Sequence, residues 1–454
     1  MKSVMFYITK YAVKGIKSLD NWTELEFYKK TFTKDFSIQN YNIKGIYGVN
    51  GAGKSGLISS VKILRGLLLK DNYLSNPFVQ NQLTSLINKR LGRLEIAVEY
   101  LVKSAKVYNL YRYTIIIKKN PVGFYYICEE SLAWRKALSH SDRFTSIYST
   151  DTGKLMLDMT SDKYAGILMD KAKNLLTISP LPLIFINNVL PHYVKEKGYS
   201  FLMEGLIYLM GFGTNLHVYL DSKDEHKDYT LNNILKHTDP DEIEDTRETL
   251  AGYRELLEGW QFIDLSEETM KIPKALLPEI EREAGGLYEF LHVFKHDLQS
   301  VTIEKREDKD CFQCDLILNY ADYSVDAEFE STGVKKLIRL FRYFSAMVQG
   351  GIVFVDELDS NLHDVYLCAL LEYLMEHAEG QLCFTTHNIG PMDILKRNKK
   401  SIDFLSVDHK VYSWTTNGNY SPSTLYRKGM IEGSPFNVDS IDFISAFLSR
   451  KTNI

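Results

Sequence analysis

Two short segments carry residues whose types and spacing can do chemistry together. The first is Gly48-Val49-Asn50-Gly51-Ala52-Gly53-Lys54-Ser55, of the form G-x-x-x-x-G-K-[ST]. Glycines let the backbone curl until several N–H groups point at one spot, and a helix opening there adds its positive dipole end. A loop of this kind binds phosphate through Asn50, Gly51, Ala52, Gly53, Lys54, Ser55 and Gly56. The Lys54 ammonium reaches the β- and γ-phosphates, and the Ser55 hydroxyl is a ligand of Mg2+. The second segment is Ile352-Val353-Phe354-Val355-Asp356-Glu357, an apolar run ending in two carboxylates. A buried parallel strand delivers such acids to its C-terminal end, where ligands sit in open α/β sheets. Asp356 would hold Mg2+ through its water shell, and Glu357 would polarise an attacking water as general base. Alone, an aliphatic run before Asp-Glu reads equally as a solvated strand end. Beside the glycine loop it completes a site for ATP and Mg2+.

The surrounding elements fit that chemistry. Met5–Ile8, Glu24–Tyr28 and Asn42–Tyr47 have strand patterning, so the glycine loop follows a strand. Leu57, Val61, Leu64 and Leu68 then fall on one face of a helix. Leu94–Val102, Val107–Ile117 and Gly123–Cys128 read as an antiparallel meander rich in Tyr, Val and Ile. From about 130 to 296 the pattern is mostly helical, and 298–330 returns to strand character. A helix over about 333–348 carries Val334, Leu337, Phe341, Phe344 and Val348 on one stripe. Ile352–Val355 and Leu382–Thr385 are short apolar runs, as in parallel strands covered on both faces. The expected fold is α/β: one sheet domain built from 1–128 and 298–454, split by a helical insertion over 129–297.

Composition narrows the class further. A net charge of -4 over 454 residues does not suit a general nucleic-acid coat, although a local basic patch remains open. The basic residues concentrate in 1–70, around the glycine loop, and the acidic ones in 221–250. That acidic stretch is either a solvated helical face or a partner-binding surface. Five irregularly spaced cysteines make no disulfide framework, which points to a reducing compartment. The N-terminus has no signal-peptide pattern. The most apolar run, Leu175–Pro191, is broken by Pro180, Pro182 and Asn187–Asn188, and reads as a buried strand with its turns rather than a membrane span. A cytoplasmic protein is expected.

Lys54 and Asp356 are separated by roughly three hundred residues, far more than a compact nucleotide domain contains. Four further segments bear on this spacing. Glu330-Ser331-Thr332-Gly333-Val334 precedes a helix, some 25 residues before Asp356. Leu358-Asp359-Ser360-Asn361-Leu362-His363 follows the acid pair, and Phe384-Thr385-Thr386-His387 ends an apolar run. Gly15-Ile16-Lys17-Ser18 lies near the start. With these, the chain resembles the ABC-type AAA ATPases. It is most similar to the branch holding the ATPase part of the overcoming-lysogenisation-defect (OLD) nucleases and the stand-alone ATPases of bacterial anti-phage modules (PARIS, Septu and abortive-infection types). RecF and the heads of SMC proteins are more distantly similar. The specific resemblance covers about 1–128 and 298–415.

The resemblance implies roles. Ser331 and Gly333 look like the ABC signature, acting in trans on nucleotide bound by a second copy. Asp359, Asn361 and His363 look like the D-loop, with His363 where many members have Asp. His387 looks like the switch histidine that contacts the γ-phosphate. The resemblance thus implies ATP hydrolysis in a homodimer or larger homo-oligomer. It also implies a sensor or scaffold subunit of an anti-phage system acting with a separate effector, a nuclease by expectation. The tail after His387 is too short for a fused nuclease domain of about a hundred residues. The alternative is a RecF- or SMC-like DNA-repair ATPase that clamps nucleic acid. The family's Q-loop glutamine has no clear counterpart, with Gln80 and Gln82 near the first helix.

Two smaller constellations stay open. His292-x-x-x-His296 with Cys311-x-x-Cys314 has zinc-like spacing, but three positions along a strand put two cysteines on opposite faces. The Tyr420–Ser434 region is either a docking site or a closure of the sheet.

Overall fold

The computed structural model describes residues 4–29, 31–33, 36–104, 108–139, 141–157, 165–190, 200–220, 265–308, 311–415 and 420–434. The acidic stretch 221–250 lies outside them. Strands β1 (Met5–Lys14), β2 (Thr23–Glu26) and β3 (Ile43–Tyr47) come first, then helix α1 (Lys54–Leu69) and helix α2 (Pro77–Leu86). A long run of strands follows: β4 (Arg93–Lys103), β5 (Tyr108–Lys119), β6 (Tyr125–Lys136), β7 (Thr145–Asp151) and β8 (Lys154–Leu157). Helices α3 (Ala165–Ala172), α4 (Leu181–Asn188) and α5 (Phe201–Thr214) lead to β9 (Leu216–Tyr219). Then come β10 (Met270–Pro273), α6 (Leu277–His292), β11 (Leu298–Asp308), β12 (Cys311–Tyr320) and β13 (Ser324–Asp326). The last part alternates: α7 (Thr332–Val348), β14 (Ile352–Val355), α8 (Asp364–His377), β15 (Gln381–Thr385), α9 (Met392–Leu395), β16 (Ile402–Leu405), β17 (Val411–Ser413) and α10 (Pro422–Arg427).

The fold is mixed α/β with three sheets. The central one has the order β17-β16-β3-β15-β14-β9, and every neighbouring pair in it is parallel except β16 with β17. Strand β3, from the start of the chain, therefore sits between two strands from its last quarter. The antiparallel sheet runs β2-β1-β4-β5-β6-β7-β8, and a smaller sheet joins β10, β12, β11 and β13.

The central strands are apolar on both faces because both faces are covered. Ile46, Ile352, Phe354 and Cys383 share a core with α1 and the antiparallel sheet. Val353, Val355, Leu382 and Phe384 share another with α7 and α8. The stripe Leu57, Val61, Leu64 and Leu68 on α1 is fully buried, each side chain contributing about 1.5–3 kcal/mol. Helix α7 belongs to two cores: Leu340, Phe344 and Met347 face the central sheet, while Val334, Leu337 and Ile338 face α6 and the small sheet. Between β3 and β16, the buried Lys44 ammonium meets Asp403 at 2.6 Å, and the Ser413 hydroxyl donates to the other Asp403 oxygen. Breaking such a buried pair from one side costs about 3–5 kcal/mol, so it holds these two strands in register.

Three stretches differ from the sequence expectation. Strand β6 continues past Cys128 to Lys136 and is followed by β7 and β8, where helix was expected from about 130. A bulge beside Cys128 shifts the register, and the buried Glu130 occupies an inward position, so the alternation of apolar and polar residues is masked. The run Leu175–Pro191 contains helix α4 rather than a strand, with proline accommodated in its first turn. Periodicity cannot separate helix from strand where every side chain is apolar. Finally, β9 and β10 lie within the stretch read as a helical insertion, yet β9 pairs in parallel with β14 and β10 antiparallel with β12.

Candidate functional site

The register of the central sheet sets the site. Ile46 is level with Thr385, while Val355 is level with Phe384 and Tyr219, so β3, β14 and β15 end at one edge. The loop Gly48–Gly53 leaves β3 at that edge and turns into α1. Two of its three glycines answer a close approach. A Cβ on Gly48 would lie 2.4 Å from the Leu405 carbonyl oxygen. Gly53 is left-handed, with φ of 106°, and a Cβ there would lie 2.4 Å from Leu19. Helix α1 begins with no capping side chain and no acid in its first turn. Its first N–H groups are thus presented for an anionic ligand. The Lys17–Ser18 turn braces the loop from below. The Ser18 hydroxyl donates to the Gly51 carbonyl at 3.4 Å, and Gly56 rests against the Lys17 side chain.

Lys54 turns its ammonium back into this loop, donating to the Gly48 carbonyl at 2.7 Å and the Val49 carbonyl at 3.3 Å. Burial pushes its pKa down, while the nearby carboxylates of Asp356, Glu357 and Asp359 pull it back up. The two chemistry-bearing segments are therefore electrostatic neighbours. Asp356, at the end of β14, is only 8% exposed. The Thr385 hydroxyl donates to Asp356 Oδ1 at 2.5 Å and accepts the Glu357 N–H at 2.8 Å. One oxygen on β15 thus orients both acids. Glu357 is exposed and left-handed, with φ of 48°. The donor set fits Mg2+, which takes hard oxygen ligands from one or two protein groups plus phosphates. Ser55 and Asp356 would supply them.

The remaining expected residues cluster around the same edge. Ser331 caps α7, accepting the Val334 N–H at 3.3 Å, and Ser331 and Thr332 are exposed. Gly333 lies against the loop after β14, where a Cβ would stand 2.9 Å from the Asn361 carbonyl. Asn361 is left-handed, with φ of 60°. His363 caps α8 through Nδ1, which accepts the Val365 N–H at 3.3 Å. Among the described residues, a buried Asp359 oxygen has no hydrogen-bond partner. His387 is exposed just past the end of β15.

Comparison with known proteins adds a remote likeness. No described protein family matches the sequence, and no curated protein does either. Among solved structures, the chain is similar to the recombination mediator protein RecF in the RecFOR pathway. The RecF-ATPrS structure has TM-score 0.39 and 14% identity, with 91% of this chain and 100% of that one covered. The RecF-ATP structure has TM-score 0.36 and 13% identity, at the same coverage. The SMC head domain from Thermotoga maritima has TM-score 0.33 and 12% identity, covering 90% of this chain and 100% of that one.

Three further residue sets are placed by their contacts. Gln80 is buried, donating to the Leu74 and Tyr125 carbonyls and accepting the Tyr125 N–H. Both ends of its amide staple α2 to β6; Gln82 is half-buried on the same helix. His292 donates through Nδ1 to the Leu298 carbonyl, and Cys311 and Cys314 sit on β12. Among the described residues, no group of His, Cys, Asp or Glu is arranged to hold a metal ion. The segment before 434 closes on the sheet: Tyr426 of α10 packs on Tyr47 and Phe404, and Ser423 donates to Asp393. Sequence reasoning passed over Thr385 and Lys336. The latter's ammonium donates to the Glu357 carbonyl at 2.6 Å and to the Ser360 hydroxyl. Among the described residues, no helix is long and apolar enough to cross a membrane.

Proposed function

We propose that this chain is an ABC-type ATPase that binds ATP with Mg2+ at Gly48–Ser55 and hydrolyses it against a second copy of itself. The observation that carries the reading is the strand register, which ends β3, β14 and β15 at one sheet edge and so brings the Gly48–Ser55 loop and the Asp356–Glu357 pair to the same side of the sheet, across roughly three hundred residues of sequence. On binding, the Lys54 ammonium leaves its own loop carbonyls for the β- and γ-phosphates, and the α1 N–H groups take the remaining oxygens. Ser55 and Asp356 would hold Mg2+, which would supply neutralisation of phosphate charge. Asp356 is kept in place by Thr385. Glu357 orients the attacking water and accepts its proton at the carboxylate. His387 contacts the γ-phosphate from the end of β15. Ser331 and the Gly333 N–H contact the γ-phosphate held by the partner, so charge is stabilised on both sides.

Glu357→Gln should bind ATP without turning it over. Size-exclusion chromatography of that variant with ATP and Mg2+ should show a dimer or larger species, and its apo form a smaller one. A monomer under both conditions sinks the model.

The finer reading is a sensor or scaffold subunit of a bacterial anti-phage system with a separate effector. It is supported by the motif resemblance alone. Co-purification from the native operon tests it, and a co-eluting nuclease is the expected result. DNA binding that needs ATP, falls steeply with salt and involves no partner would favour the RecF-like alternative.

A further inference from the structure

Helix α7 is fixed to the loop after β14 by a buried cation. Lys336 is 2% exposed, and its ammonium is held by the Glu357 carbonyl and the Ser360 hydroxyl. One turn earlier, the backbone at Gly333 rests on the Asn361 carbonyl of the same loop. Glu357 sits between two anchors. Its N–H is held by Thr385 and its carbonyl by Lys336, while its own φ of 48° is a conformation that L-residues avoid. Pinning the peptide planes on both sides of a residue fixes the direction of its Cα–Cβ bond. Thr385 and Lys336 together therefore set the direction in which the Glu357 side chain leaves the backbone.

The exposed start of α7, at Ser331 and Thr332, lies about one and a half turns from Lys336 on one hydrogen-bonded rod. That rod is wedged in two cores, so it moves as a body rather than bending at this end. We infer that Lys336 is a positioning residue for Glu357, through which contact at the α7 start sets the general base of the same chain. The contact at that end is the triphosphate carried by a second copy. Each copy's hydrolysis is then conditioned by whether its own α7 is engaged. The inference rests on the reading of Glu357 as base given above.

Lys336→Met keeps the apolar stem and removes the cation. Full-length protein should keep its affinity for a fluorescent ATP analogue within about twofold, while kcat falls on the order of 100-fold, the scale of a 1 Å misplacement. Lys336→Arg should recover at least about tenfold of that loss, since it can reach the same carbonyl. In a Glu357→Gln background, Lys336→Met should change the residual rate no further, because the two residues act as one unit. Wild-type kcat in Lys336→Met overturns the inference, as does an equal fractional loss with and without the Glu357 carboxylate. If Lys336→Met does not fold, Ser360→Ala carries the test. It should lower kcat about two- to fivefold at unchanged ATP affinity, and wild-type kcat there also overturns the inference. Failure of the underlying reading looks different: the wild-type protein itself would not hydrolyse ATP, or Glu357→Gln would be silent.

Discussion

Thr385 serves two acids with one oxygen, giving its proton to Asp356 and receiving the N–H of Glu357. Replacing it by the near-isosteric valine leaves packing almost unchanged but lets both acids drift. Outer partners of this kind are worth about 10- to 100-fold in activity or metal affinity. Thr385→Val should therefore show a kcat loss in that range, with a higher Mg2+ requirement and an intact far-ultraviolet circular dichroism spectrum; phosphate release against Mg2+ concentration measures it. The contrast with Lys54 shows what a sequence can reveal at this scale. Lys54, Ser55, Asp356 and Glu357 stand out because their neighbours in the chain are also their neighbours in the site. Thr385 and Lys336 are defined by what faces them across the fold, and Thr-Thr-His or Lys-Lys in a sequence carries no mark of that. Gln80, near the first helix but given no role from the sequence, makes three hydrogen bonds that join α2 to β6 and to the turn before it.

Elements were readable where a single period ran through them. Strands β14 and β15 and helices α1 and α7 lie where the apolar spacing puts them. The tail of β6 did not, because an acid faces inward. Glu130 receives hydroxyl protons from Tyr113 and Tyr148 and the N–H of Leu181, the first residue of α4. This carboxylate joins the antiparallel sheet to the helices that follow it. Burial pushes its pKa up to about 7, against the opposing pull of those three donors. The folded chain thus keeps the proton over a range where the unfolded chain has released it. Stability from this group is fully present below the ordinary carboxylate range, falls as pH rises towards 7, and is level above that. Glu130→Gln has no such slope. Melting temperatures of the two proteins at pH 5 and pH 8 should show the wild type losing ground to the variant at the higher pH. A constant difference would mean that Glu130 does not titrate in this range.

At the scale of the whole molecule, the proposed ATP site is a clasp between distant parts of one chain. A ligand bound there stabilises everything that must be folded to form it. At a hundred times its dissociation constant, ATP should stabilise the native state by about 2.7 kcal/mol, seen as a raised melting temperature. Lys54→Ala should abolish that shift while melting near the wild type without ATP; an equal shift in both proteins would place the ATP elsewhere. The order β16-β3-β15 has another consequence, for the growing chain on the ribosome. Strand β3 and its glycine loop emerge early, but both flanking strands come only after the acids. At synthesis rates of 5–20 residues per second, that gap lasts roughly 17–70 s. Throughout it, both edges of an apolar strand lack their native neighbours, which makes a nascent chain of this design a client for shielding by chaperones.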